Sequence, residues 1–298
     1  MGNRVSRLLP VFFAVLVFGP RLARAQAWTP PQNTLTLSGS YQLGYGTHAD
    51  NLTATVIHQY FIPDVQYGIT DNLAIGASLP ILAVKTDAST MATFAHGPWD
   101  DGTYHSTLTD ARVTVRYSIP IKFLTITPQI GASTPVQDYP VQGFAAAGRH
   151  LTAGYLGVNV GADLSDYIPR TLLHFAYEFA LVQRYNDAGP SVAEFSQNYS
   201  TTTFEVDHRL GRFTLHAGLD YHNNDGGITF ADFSFINPTQ RSYHDAILLE
   251  RILLVGGGVS YSATDHVDLF VSARIFAWGA NTQNSSIFAV GASWDLGL

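Results

Sequence analysis

The stretch Ala111-Arg112-Val113-Thr114-Val115-Arg116-Tyr117-Ser118-Ile119 alternates apolar and polar residues without a fault. Ala111, Val113, Val115, Tyr117 and Ile119 form one set; Arg112, Thr114, Arg116 and Ser118 form the other. A period of two puts the sets on opposite faces of a β-strand. A soluble sandwich alternates as well, but its strands run about 5–6 residues. Here the alternating segments run about 10 residues or longer, the length that crosses a bilayer at a tilt. An arginine facing lipid at mid-depth costs about 2–4 kcal/mol, so Arg112 and Arg116 are assigned to a lumen and Val113 and Val115 to lipid. The fold class expected is all-β, a transmembrane antiparallel barrel.

Working outward, the same pattern predicts about twelve strands, near 34–46, 53–69, 72–85, 108–119, 123–134, 151–164, 171–184, 200–210, 212–222, 246–262, 266–278 and 286–298. An even count suits a single-chain bacterial barrel. In the first strand Leu35, Leu37, Tyr41, Leu43 and Tyr45 point outward. In the ninth, Phe213, Leu215, Ala217, Leu219 and Tyr221 do so, against inward Thr214, His216, Gly218, Asp220 and His222. Tight turns at Thr70-Asp71, Pro120-Ile121, Ser165 to Pro169, Gly211 and Thr264-Asp265 alternate with long connections near 86–107, 135–150, 185–199 and 223–245. Short periplasmic turns and longer outer loops give this asymmetry. Phe288, Val290, Ala292, Trp294, Leu296 and Leu298 alternate to the last residue, like the terminal strand of outer-membrane proteins, here ending in Leu rather than an aromatic residue.

The ends fix the compartment expected. Arg4 and Arg7 precede an apolar run from Leu8 to Phe18, and Ala23-Arg24-Ala25 offers a cleavage site, with Ala25-Gln26-Ala27 as a second. Residues 1–25 are read as a secretory signal and 26–298 as one barrel domain. No later segment supplies the roughly 18 continuous apolar residues of a spanning helix. Cysteine is absent. The formal charge of −7 becomes −11 once Arg4, Arg7, Arg21 and Arg24 leave with the signal, a balance that argues against nucleic-acid binding. Charged residues at 13% and aromatics at 12% suit a lipid-facing wall with interfacial girdles. The location expected is the bacterial outer membrane.

Several stretches resemble one family. Tyr67-Gly68-Ile69-Thr70-Asp71-Asn72-Leu73-Ala74-Ile75-Gly76-Ala77-Ser78-Leu79-Pro80 is similar to a hairpin recurring in the MetA-pathway phenol-degradation family of outer-membrane proteins. Leu108-Thr109-Asp110-Ala111-Arg112, Ile126-Thr127-Pro128-Gln129-Ile130-Gly131 with Thr134-Pro135, and Thr264-Asp265 to Trp278 extend the likeness over most of the chain after the signal. The resemblance implies a transporter or channel linked to aromatic-compound breakdown. It supplies no catalytic motif.

The chemistry-bearing residues expected in the lumen are Arg112, Arg116, His174, Glu178, Glu205, Asp207, His216, Asp220, Asp268 and Arg274. Such groups set ion and solute preference in pores; the plainer alternative is that they pair across the lumen and fill it. No cofactor and no metal is expected, because the 11 histidines show no helical or hairpin ligand spacing. The stretch His222-Asn223-Asn224-Asp225-Gly226 is read as a plain turn, not a calcium loop. The loop His96-Gly97-Pro98-Trp99-Asp100-Asp101 is open to two readings, folded into the mouth or a disordered outer loop. With about eight residues ahead of the first strand, the mature N-terminus is expected to supply no plug.

The function expected is a passive outer-membrane channel for small solutes, aromatic or hydrophobic compounds among them, with lipid and solute as its partners. Oligomeric state is left open. The alternative is an outer-membrane lipid or peptide hydrolase with its site at the outer rim. No G-x-S-x-G motif is present, and His174 and Glu178 are about 13 Å apart along a strand. A third reading is an adhesive barrel whose loops bind a partner.

Overall fold

The structure, a computed structural model, describes residues 27–47, 55–87, 97–184, 196–229, 243 and 247–298. The signal segment, residues 1–25, lies outside the described residues, as do His96 and three acidic residues of the long connections, Asp187, Glu194 and Asp232. The strands are β1 (Thr34–Thr47), β2 (Thr55–Gly68), β3 (Leu73–Ser78), β4 (Ile81–Thr86), β5 (His105–Leu108), β6 (Asp110–Tyr117), β7 (Ile119–Ile121), β8 (Leu124–Pro135), β9 (Ala153–Asp163), β10 (Thr171–Val182), β11 (Tyr199–Leu210), β12 (Phe213–Asn224), β13 (Arg251–Ser262), β14 (Val267–Ala280) and β15 (Asn284–Gly297).

Every pairing between these strands is antiparallel, and β1 pairs with both β2 and β15, so the sheet closes on itself. Closure leaves no sheet edge, as lipid requires. β3 and β4 are two halves of one wall strand, and β5, β6 and β7 are three parts of the next. The wall therefore has the twelve strands expected.

The interruptions have identifiable causes. Pro80 has no N–H to give the ladder and sits opposite the Pro63 region of β2. The gap is bridged by Leu79 N–H to the Pro63 carbonyl at 3.3 Å and Thr109 N–H to the Pro80 carbonyl at 3.0 Å. That second contact lies at the break between β5 and β6, so one proline interrupts both wall strands. Pro120 does not form the turn expected of it. It stays in β7 opposite Thr125, and Lys122, at φ 52°, turns the chain instead. The tenth strand starts at Arg251 rather than near 246, since Ile247 and Leu248 are buried in the outer mouth.

Alternation holds through the wall. Val113, Val115, Tyr117 and Ile119 are exposed on the outer surface, while Arg116 and Ser118 are buried. Strict alternation would turn Trp278 inward with Arg274 and Phe276. A bulge prevents this: Leu253 faces Trp278 but Leu254 faces Phe276, leaving Ala277 as the extra residue. Trp278 is thereby exposed on the outside near the outer rim, where an aromatic belt belongs.

Both ends of the lumen are narrowed. At the outer end, residues 136–152 fold inward, and Tyr139, Phe144, Ala145 and Ala147 pack on Val56, Leu82 and Val84 from the inner faces of β2 and β4. Burying a side chain such as Phe144 is worth about 1.5–3 kcal/mol. At the periplasmic end, residues 27–33 cross the mouth as a strap. The Ala27 carbonyl accepts from Thr127 Oγ1 and from Ser118 Oγ, the latter at 3.5 Å. Thr29 Oγ1 donates to the Asp71 carbonyl at 3.0 Å, and the Gln32 N–H to Asp71 Oδ1 at 3.0 Å. The wall is shaped for this strap: a Cβ on Gly161 would fall 2.6 Å from the Ala27 Cβ, and one on Gly68 2.0 Å from the Pro31 carbonyl oxygen. The expectation that the N-terminus supplies no plug is thus corrected. Few residues suffice, because the strap needs to cover only one mouth.

Candidate functional site

Between the two constrictions lies a polar chamber, and the ten residues singled out above all turn into the barrel. The structure gathers nine of them into two networks. In the first, Arg112 on β6 pairs with Glu178 on β10, across the inner faces of β8 and β9. Gln129 Nε2 donates to Glu178 Oε2 at 2.7 Å, and Asn159 Nδ2 donates to Gln129 Oε1 at 3.0 Å. The Arg112 guanidinium also lies 4.1 Å from the centre of the Tyr155 ring. Arg116 Nη1 donates to Gln66 Oε1 at 3.1 Å, and Gln66 Nε2 to Asp64 Oδ1 at 3.2 Å. Arg116 is only 7% exposed, and its Nε and Nη2 have no acceptor among the described residues.

In the second network, Arg274 on β14 donates from Nε to Asp220 Oδ2 at 2.7 Å and from Nη2 to Glu205 Oε2 at 2.8 Å. Glu205 Oε1 lies 3.7 Å from His216 Nδ1. The same Nδ1 is 2.7 Å from Asp207 Oδ1, and His216 Nε2 is 2.6 Å from Ser260 Oγ. His174 on β10 places Nε2 3.2 Å from Asp207 Oδ2, and its ring meets the Trp28 indole edge-on at 5.2 Å. Asp268 stands apart from both networks. It is fully buried and accepts from Ser262 Oγ at 3.0 Å.

The pairing alternative therefore holds for individual side chains, since most charges meet an opposite charge across a few ångströms. The lumen is nonetheless not filled. A cavity of about 370 Å³ lies among Asp64, Gln66, Arg112, Thr114, Gln129 and Glu178. Toward the outer side is one of about 420 Å³, bordered by Tyr155, Tyr199, Arg149 and His222. Toward the periplasm is one of about 680 Å³, bordered by Trp28, Asp207, Arg209 and Lys122.

The outer constriction is tied by one carboxylate. Asp100 accepts from the backbone N–H groups of Gly97 at 2.8 Å, Phe144 at 3.0 Å and Ala145 at 2.8 Å, and is 8% exposed. Gly97 to Asp101 thus folds against the inward loop, which settles the two readings of that segment for its described part. Beside it, exposed Asp101 is held at a pKa of about 2 by the Thr103 backbone N–H, the His105 ring and the Thr103 hydroxyl. The turn reading of His222 to Gly226 is corrected for its first three residues: His222, Asn223 and Asn224 end β12, where Asn224 accepts from Arg149 and donates to the Leu248 carbonyl.

Sequence reasoning missed Asp64, Gln66, Gln129, Asn159, Ser260 and Trp28. Asp64 was within reach: a carboxylate inside a spanning segment must face the lumen. Pro63 beside it blurs the alternation.

Comparison with known proteins shows the fold. The chain superposes on an outer-membrane channel of the COG4313 group from Pseudomonas putida F1 with a TM-score of 0.70, at 12% identity, over 93% of this chain and 100% of that one. It also matches the NanC porin with a TM-score of 0.52, at 12% identity, over 88% of this chain and 100% of that one. This is a twelve-stranded barrel of the outer-membrane type. No family model and no curated protein matches the sequence, so the likeness to the phenol-degradation family rests on the residues quoted for it.

The hydrolase alternative gains one observation. Asp207, His216 and Ser260 follow one another at acid–base–hydroxyl spacing. Acyl transfer also needs donors at the developing oxyanion and access to the hydroxyl. Ser260 is 3% exposed, and its backbone lies inside β13, paired with Thr214 on one side and Phe270 on the other. Its N–H belongs to the ladder.

Proposed function

We propose that this chain is an outer-membrane channel for small polar solutes. The carrying observation is the unfilled cavity of about 370 Å³ inside a closed barrel, bordered by fixed groups of both signs. A barrel that served only as a scaffold would gain by filling that space, since packing voids cost stability. Mixed signs hold a dipolar or hydrogen-bonding solute better than a bare ion, which a ring of one sign would favour.

The lining also bears on the solute. Arg112 over Tyr155, and Arg149 beside Tyr199, place a guanidinium next to an aromatic face on the way in. A solute with a flat apolar body and a carboxylate or hydroxyl group uses both. Phenols and aromatic acids have that form, in agreement with the role the resemblance implies; unsubstituted hydrocarbons do not.

The test is liposome swelling with the purified protein. Benzoate and small neutral polyols are expected to enter faster than into protein-free liposomes, with Arg112→Ala slowing benzoate more than polyol. Swelling at the protein-free rate for every solute would refute the channel. The buried Asp207–His216–Ser260 relay supports a second reading as a hydrolase, for which Ser260-dependent ester cleavage in detergent would be the sign.

A further inference from the structure

We propose that Glu205, Asp207, His216 and His174 form a binding site for a divalent transition-metal cation of the zinc class on the inner wall of the barrel. Glu205, Asp207 and His216 each offer a ligand atom, and these atoms lie within 4.8 Å of one another. His174 supplies the second, independent observation. It is 8% exposed, neither ring nitrogen has an aligned hydrogen-bond partner among the described residues, and Nε2 lies 3.2 Å from Asp207 Oδ2. A buried imidazole in that state is poorly satisfied by protein alone.

The chemistry of the set fits a tetrahedral cation, which takes imidazole nitrogen and carboxylate oxygen at about 2.0–2.2 Å. His174 lies at the other oxygen of Asp207, Oδ2, and would turn inward to join the three, while the 2.7 Å between His216 Nδ1 and Asp207 Oδ1 would open slightly to admit the ion. His216 Nε2 is held by Ser260 Oγ at 2.6 Å, the outer-shell contact that fixes which nitrogen faces a metal. Arg274 holds Glu205 by its other oxygen, Oε2, leaving Oε1 toward His216. Charge points the same way. Glu205, Asp207 and Asp220 carry three negative charges against the single positive charge of Arg274. Ligation requires both imidazoles to be neutral, and the wall then keeps an excess of two negative charges, which one divalent cation cancels. Asp207 borders the periplasmic cavity of about 680 Å³, which gives the ion a way in. The ligands come from β10, β11 and β12, so the cation would staple three neighbouring strands. No spacing within a single strand could have revealed the set.

The test uses the refolded full chain in detergent, titrated with Co²⁺ and then Zn²⁺. One Co²⁺ per chain is expected, with the intense visible absorption of four-coordinate cobalt, bleached by Zn²⁺. His174→Ala and His216→Ala are each expected to weaken binding about 10–100-fold or more, and Ser260→Ala by about 10-fold. His105→Ala, which removes a half-buried histidine beside Asp101 in the outer loop, should leave binding unchanged. Binding should weaken on acidification, because the ligands must lose protons. The weak spectrum of six-coordinate cobalt in the wild type would overturn the site even if a variant failed to fold. So would full binding in folded His216→Ala. The titration is independent of conductance, so its failure would leave the channel reading untouched.

Discussion

Two neighbouring residues separate the wall from the lumen. Val113 is 48% exposed on the outer surface, and Thr114 borders the inner cavity. Val113→Arg puts a guanidinium into hydrocarbon and is expected to destabilise the folded barrel by about 2–4 kcal/mol if it lies near the midplane. Thr114→Arg places the same group in the lumen and should fold nearly as well while changing conductance. Urea titration in lipid vesicles checks both, and a reversal of the two would mean that the register is off by one residue. Asp100 gives a third prediction at this scale. Its carboxylate accepts three backbone N–H groups, and hydrogen bonds to a charged group are worth about 1.5–3 kcal/mol each. Asp100→Ala is expected to release the inward loop and raise single-channel conductance, with the barrel still folded.

At the scale of elements, the periplasmic strap is the feature most open to test. Trp28 packs against His174, and Ala27 is held by Thr127 and Ser118. Trp28→Ala should widen the periplasmic mouth and raise conductance without loss of the barrel, read in planar bilayers beside heat-dependent gel mobility. Unchanged conductance would show that the strap does not limit flow. The strands were legible in the sequence and the strap was not, for a physical reason. Lipid outside and water inside impose a period of two on every wall strand, so Ala111–Ile119 announces both faces at once. The strap has no period, because it is held by individual contacts such as the Ala27 carbonyl on Thr127. Local departures were hidden as well. The Ala277 bulge reverses Trp278, and neither Ala277 nor the leucines opposite it, Leu253 and Leu254, mark the site as a glycine or proline would. The charged residues of the strands stood out as a set because charge excludes them from lipid. Their partners did not, since Arg112 meets Glu178, and His174 meets Asp207, only once the sheet has closed.

For the whole molecule, the balance of charge predicts how ions pass. Arg112, Arg116 and Arg274 face Glu178, Glu205, Asp220 and Asp268 in the lumen, so neither sign forms a complete ring. Asp87, Asp101 and Asp225 are exposed toward the outer side. Acidic mouths repel anions at low ionic strength, and the effect fades as the screening length falls from about 30 Å at 0.01 M to about 3 Å at 1 M salt. A closed, strapped barrel of this kind is expected to conduct small solutes. The most direct test is the current through the purified protein in a planar bilayer across a salt gradient. The account predicts small stepwise conductances and a reversal potential showing weak cation preference that vanishes in high salt. Silence from an intact barrel, or strong anion selectivity, would contradict it.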